Sequence, residues 1–300
     1  MFFVSKSWLH ALLSADIGAC CIAAQAVAGY HRGVNTTAES APARPRDWMR
    51  PLRYLWRTPL LLLHALIAFP LALAVFNPLA MRCRIRGETL EHWMTRWWSG
   101  RLVRIFGFRI RCIGEPLPGA VLFVANHVSW LDIELMHSQR IMSFVAKAEI
   151  ERWPLVGWLA TRAGTIYHRR GSTHSLGAVM ERVVTRLREG MAVGVFPEGG
   201  TGTGERLRTF HARIFQVAVD ANVPVQPVAL CYGENSTMDL RVPFAPGEHF
   251  FGNFVRLLGG PSLEASVHFL EPVASSEDGR RQTAVAARER IAHALGMPLT

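Results

Sequence analysis

The sequence predicts an α/β protein with a largely parallel central sheet flanked by helices, preceded by a membrane-associated helical segment. Apolar runs at 109–113, 120–125, 164–168, 191–196, 225–231 and 265–270 have the length and composition of strands. They alternate with stretches whose apolar residues recur at helical spacing, the order that puts parallel strands beside crossover helices. Ahead of them, Pro59 to Phe76 runs for eighteen residues without a charge, interrupted only by His64 and Pro70. That is just long enough to cross a hydrocarbon core of about 30 Å.

The elements follow in order. Residues 1–50 read as a poorly ordered leader and linker. Ile17-Gly-Ala-Cys20 weakly resembles a lipoprotein cleavage box, but His10 and Asp16 interrupt the apolar stretch before it, and Glu39 to Arg46 is rich in Ala, Pro and Arg. Residues 51–107 read as a membrane-anchoring helical region. Arg50, Arg53 and Arg57 precede the apolar run, and Arg82, Arg84 and Arg86 follow it. Basic residues on both flanks fit either a span or an interfacial helix with both ends on one face. Trp93, Trp97 and Trp98 interleave with Arg96, Arg101 and Arg104, a mixture suited to the headgroup layer. Residues 108–300 form the α/β domain. Leu176, Val179, Met180, Val183, Val184 and Leu187 lie at helical spacing and Gly190 stops them. Phe210 to Asn222 and 280 to 295 are the further helices.

Composition narrows the function. Half of the residues are apolar and nine are Trp, which excludes a disordered chain. The 33 Lys and Arg outnumber 23 Asp and Glu, for a formal charge of +10, and nearly all the basic residues are Arg. Such a surface suits phosphates, whether of lipid, nucleic acid or a small molecule. The arginines are scattered, without a stripe along one helix, which argues against nucleic acid as the partner. Cys20, Cys21, Cys83, Cys112 and Cys231 contain no C-x-x-C pair, so neither a metal site nor a disulfide scaffold is expected.

The chemistry gathers at strand ends, where α/β folds place ligands. The run Val121 to Ala125 stops at Asn126-His127, and Asp132 follows five residues later. On one continuous helix such a pair would lie about 140° apart. A turn over 128–131 would instead let Asp132 fold back on the imidazole, fixing its tautomer and leaving the other nitrogen as a general base. Lys147 ends a strand-like run from Phe144, Arg169 and Arg170 end the run from Gly164, and Glu198 opens a glycine-rich loop. Arginine pairs can grip phosphate bidentately. The loop lacks the G-K-[ST] of a Walker site, and no G-x-S-x-G elbow supplies a nucleophile.

Taken together, Asn126-His127-x4-Asp132, Gly164…Arg170, Phe196-Pro197-Glu198-Gly199 and Val223-Pro224-Val225-Gln226-Pro227-Val228 resemble, in order and spacing, the four motif blocks of glycerolipid acyltransferases. The nearest likeness is to bacterial 1-acyl-sn-glycerol-3-phosphate acyltransferases. The resemblance implies transfer of an acyl group from acyl-CoA or acyl carrier protein to the free hydroxyl of a lysophospholipid, with no metal or organic cofactor. His127 would be the base and Asp132 its orienting partner; Glu198, Gly199, Arg170 and Lys147 would bind the acceptor. It further implies a catalytic domain held on the cytoplasmic face of the inner membrane. Gly200 stands where Thr is usual and His168 where an aliphatic residue is usual, which bears on acceptor preference. Another lysolipid, such as lyso-ornithine lipid, is the alternative acceptor. A non-catalytic lipid-binding protein is the competing class.

Overall fold

The computed structural model describes residues 47–75, 80, 83–85, 88–153, 156–168, 173–234, 237–273 and 279–298. The expected leader, its cleavage-box likeness, most of the linker, and Arg169 and Arg170 lie outside them. The chain begins with α1 (Arg50–Val75), continuous through Pro59 and Pro70, and a two-strand hairpin, β1 (Arg84–Ile85) and β2 (Glu88–Thr89). Then come α2 (Leu90–Ile105), β3 (Phe108–Ile113), β4 (Leu122–Ala125), α3 (Leu131–His137), β5 (Ser143–Lys147), α4 (Val156–Arg162), β6 (Ile166–His168), α5 (Thr173–Arg188) and β7 (Val193–Val195). A 3-10 turn at Ala212–Phe215 leads into α6 (Gln216–Ala221), then β8 (Val225–Tyr232), α7 (Phe250–Leu258), β9 (Leu263–Phe269) and α8 (Arg280–Ala294).

The seven-stranded sheet has the order β3-β9-β8-β4-β7-β5-β6. Strands β8, β4, β7, β5 and β6 run parallel; β9 pairs antiparallel with β8, and β3 parallel with β9. Each expected strand is present within a few residues. The helix expected over 210–222 is divided into the 3-10 turn and α6, which stops at Asn222 in the left-handed conformation just before Pro224. Helix α7, with no expectation attached to it, adds a further element.

Alternation along the strands builds two cores. Phe123 and Ala125 of β4 join Val228, Leu230 and Tyr232 of β8 on one face, covered by α2, α3 and α7. Leu122 and Val124 join Val225, Ala229 and Cys231 on the other, covered by α5, α6 and α8. Parallel strands β4, β7 and β8 are buried along their whole length, which explains why they read as continuous apolar runs. Leu102, Val103 and Phe106 belong to the first core, so the end of the expected 51–107 region is packed into the α/β domain.

Helix α1 joins that domain through an arginine. Arg57 is buried, and its guanidinium donates to the carbonyls of Phe106 (3.0 Å), Leu258 (3.0 Å) and Gly260 (2.8 Å). These carbonyls lie at the C-termini of α2 and α7, where helix geometry leaves acceptors without partners and the dipole favours a cation. Gly107, at φ 91°, leaves room for the guanidinium; a Cβ there would collide with it. One turn earlier, Tyr54 donates to the Val255 carbonyl at 2.8 Å. Farther along, His64 stacks on Trp98 with ring centroids 4.0 Å apart. Arg57, His64, Ala68, Ala72 and Val75 form the packed side of α1. Leu55, Leu62 and Leu66 lie on the opposite side, exposed, Leu66 by 71%.

Arg57→Leu would leave three buried carbonyls without a charged donor, so it should cost about 3 kcal/mol in denaturant unfolding. Arg109→Leu, which removes an exposed ion pair with Glu234, should cost less than about 1 kcal/mol. Equal losses would refute the clamp.

Candidate active site

The site begins where β4 ends. Asn126 is buried, and its amide exchanges two hydrogen bonds with Leu230 of β8, Nδ2 to the carbonyl at 2.9 Å and Oδ1 from the N–H at 2.8 Å. The side chain thus occupies the place of a further strand residue in the β4–β8 ladder and frees the backbone to turn. His127 is the first residue of that turn. Residues 128–130 carry the chain into α3, and Asp132 lies in the first turn of that helix.

Asp132 accepts four hydrogen bonds. Oδ2 takes the N–H groups of Val128 (2.7 Å) and Ser129 (2.9 Å) and lies 2.7 Å from His127 Nδ1. Oδ1 accepts from the phenol of Tyr232 at 2.6 Å. The Asp132 side chain is fully buried and that of His127 is 16% exposed. A buried carboxylate is tolerable only when its lone pairs are occupied, and here they are. Burial first, and then the Asp132 charge, push the Tyr232 phenol well above its ordinary range, so it remains a donor.

The imidazole is fixed on its flat side too. It stacks on Phe196 at 4.0 Å with planes 13° apart, and Phe196 stacks on Phe144 in turn. With Nδ1 committed to Asp132, Nε2 makes no hydrogen bond to the described residues. An imidazole held in this way has one nitrogen available to take a proton.

Glu198 supports the same turn from β7. Its buried carboxylate accepts the N–H of His127 (2.9 Å) and the N–H of Arg208 (3.0 Å), and Gly202 N–H closes the loop onto the His127 carbonyl at 2.6 Å. Burial raises the Glu198 pKa, against the pull of those two amides. Gly199 takes φ 73°, and a Cβ there would press on His211 at 3.2 Å. The structure therefore brings His127, Asp132, Glu198 and Gly199 together. Lys147 is exposed at the carboxyl end of β5, and Arg170 falls outside the described residues. The fourth motif block lies at the other end of its strand: Gln226 holds Leu117 N–H and the carbonyls of Glu115 and Leu270. Among the described residues, no three His, Cys, Asp or Glu side chains converge as metal ligands would.

Sequence reasoning missed Tyr232. The only trace was a phenol closing an apolar run, on the same strand face as Val228 and Leu230. Asn253 was missed with α7; it is buried and receives the indole N–H of Trp130, two residues before Asp132, at 3.1 Å.

A mostly parallel sheet carrying an imidazole–carboxylate pair at its strand ends is the architecture of an α/β enzyme. The chain belongs to the acyltransferase family: the family model described as Acyltransferase matches residues 109–231. Among curated relatives, the lyso-ornithine lipid O-acyltransferase of Pseudomonas aeruginosa is 39% identical over 250 residues, covering 82% of this chain and 95% of its own. The 1-acyl-sn-glycerol-3-phosphate acyltransferase of Neisseria gonorrhoeae is 42% identical over 123 residues, 40% of this chain and 48% of that protein. The crystal structure of the 1-acyl-sn-glycerophosphate acyltransferase of Thermotoga maritima has the same fold, with a TM-score of 0.61 at 21% identity over 84% of this chain and 100% of that one.

Tyr232→Phe should lower kcat/KM chiefly at acid pH, because it changes the charge that Asp132 presents to the His127 ring. Losing the phenol donor leaves more of the carboxylate charge for the His127 Nδ1–H, which stabilises the imidazolium. The acid limb of the pH–rate profile should therefore move to higher pH. An unshifted limb would exclude a role through Asp132.

Proposed function

We propose that this enzyme esterifies the free hydroxyl of a membrane lysolipid with an acyl group from acyl-CoA or acyl carrier protein. The observation that carries the reading is the His127–Asp132 pair with Nε2 uncommitted at the carboxyl ends of parallel strands. Nε2 takes the acceptor's hydroxyl proton as the oxygen attacks the thioester carbonyl carbon. The C–S bond breaks, the thiolate leaves, and the imidazolium returns the proton to it, giving ester and free thiol. Asp132 holds the ring and steadies its charged form. The thioester arrives activated, so the reaction needs no cofactor.

In this scheme Glu198 and Gly199 shape the acceptor side through the loop they fix, while Lys147 and Arg170 supply cations for a phosphate. The first acceptor is 1-acyl-sn-glycerol-3-phosphate, giving phosphatidate, as the four motif blocks imply. A second acceptor, lyso-ornithine lipid, is favoured by one observation: similarity to the Pseudomonas aeruginosa enzyme runs over 250 residues. Both acceptors reside in the bilayer, and the exposed apolar side of α1 would hold the catalytic domain against the cytoplasmic leaflet of the inner membrane.

With purified protein and one acyl-CoA, a panel of both acceptors separates the two readings by product. His127→Ala should reduce turnover on the preferred acceptor about 10³-fold, within the range for a lost general base. Wild-type turnover in that variant would remove the mechanism. Replacing Leu62 and Leu66 together with Lys should weaken partitioning to phospholipid vesicles at least about tenfold and leave folding intact, since both side chains are already exposed. Unchanged partitioning would show that α1 does not contact lipid.

A further inference from the structure

At the opposite end of the parallel strands lies a cavity of about 460 Å³. Four separate segments each contribute a guanidinium: Arg96 from α2, Arg140 from the connection into β5, Arg162 from the end of α4 and Arg186 from the end of α5. Ser143 and Ala192, at the starts of β5 and β7, also line it, whereas His127 follows the end of β4. Strand residues rise about 3.3 Å each, so an ion there is roughly 15 Å from the reacting atoms.

Helix dipoles account for part of this charge. Arg162 and Arg186 lie in last turns, where carbonyl ends favour cations. They do not account for Arg140. Its Nη2 donates to the Gly119 carbonyl and its guanidinium lies over Phe123, but Nη1 is buried without a hydrogen bond, as is Arg96 Nε. Among the described residues Arg140 makes no ion pair. Two acids face the four arginines. Glu88 is paired with Arg96, and burial raises the Glu91 pKa above the ordinary carboxylate value. Arg186 contacts Glu189 loosely, at 3.9 Å, and donates to Met191 Sδ at 3.5 Å, and Arg162 lies over Trp158. Four guanidiniums against two carboxylates leave the cavity lining with surplus positive charge, which suits a compact anion with several acceptor oxygens.

The cavity's place along α1 indicates where that anion comes from. Arg57 meets Phe106 and His64 meets Trp98, so α1 and α2 run antiparallel. The exposed apolar turns of α1 beyond His64 therefore lead toward the first turns of α2, where Glu91 and Arg96 line the cavity. We propose that this cavity binds a phosphate ester, supplied by the headgroup of an anionic membrane phospholipid, at a site separate from the catalytic one. The site does not depend on the acyl-transfer reading.

The test measures binding of intact protein in mild detergent to vesicles of phosphatidylcholine with and without phosphatidate, and separately to inorganic phosphate. Arg140→Gln and Arg162→Gln are compared with wild type; Arg162 is exposed, so its variant should fold even if Arg140→Gln does not. The preference for phosphatidate-containing vesicles should fall about fivefold in either variant. Turnover on a short-chain soluble acceptor should stay within about twofold, given the separation from His127. Phosphate binding with the same sensitivity to the variants, and no vesicle preference, would overturn the lipid source in favour of a soluble phosphate. If neither probe responds to the variants the site is refuted, and if turnover falls in step with binding its separateness is refuted.

Discussion

The geometry of the candidate site depends on burying one carboxyl group with every lone pair occupied. Asp132 achieves this with four hydrogen-bond partners drawn from two parts of the chain: two amides and the His127 ring of its own turn, and a phenol a hundred residues away. Removing solvent makes each of these bonds stronger and makes any unfilled lone pair costly. The same burial strengthens the His127 bond, because the Asp132 side chain is fully out of solvent. Burial is therefore both the cost of the arrangement and the source of its strength.

The sheet explains how the parts meet. In a parallel sheet all carboxyl ends share an edge, so turns leaving β4, β7 and β8 converge without long excursions. Asn126 makes the first of these turns by standing in for a strand residue against Leu230. Glu198 makes the second, its carboxylate spanning two loops through the amides of His127 and Arg208. Both side chains are polar and buried, and both are satisfied by backbone partners rather than by other charges. The centre is thus held chiefly by main-chain geometry, with Phe196 and Phe144 fixing the plane of the imidazole.

Helix α1 works by a different balance. Its N-terminal half is held by Arg57 at two helix ends and by Tyr54, while its continuation offers one packed side and one exposed apolar side. A helix apolar on its outer side is costly in water unless something covers it. In the proposed function a lipid leaflet provides the cover, and the clamp at Arg57 sets where that leaflet lies relative to His127.

Much of this was legible in the sequence for a local reason. Strand runs such as 225–231 and the helix over 176–187 record their burial in a repeating pattern of neighbours, and His127 and Asp132 are close enough along the chain for a turn to join them. Helix α7 was not legible, because Phe250–Leu258 is a short apolar segment whose two faces separate only once it has packed against Trp130 and Phe106. Nor were the role of Glu198 as a brace between two loops, the phenol of Tyr232 on Asp132, or the burial of Arg57, which read as one basic residue among several on a flank. By itself the sequence determined the elements and the chemistry available, since those follow from residue type and short-range spacing. Which groups meet was decided by tertiary structure, since strand order, register and the meeting of two helix ends join residues that no local pattern connects.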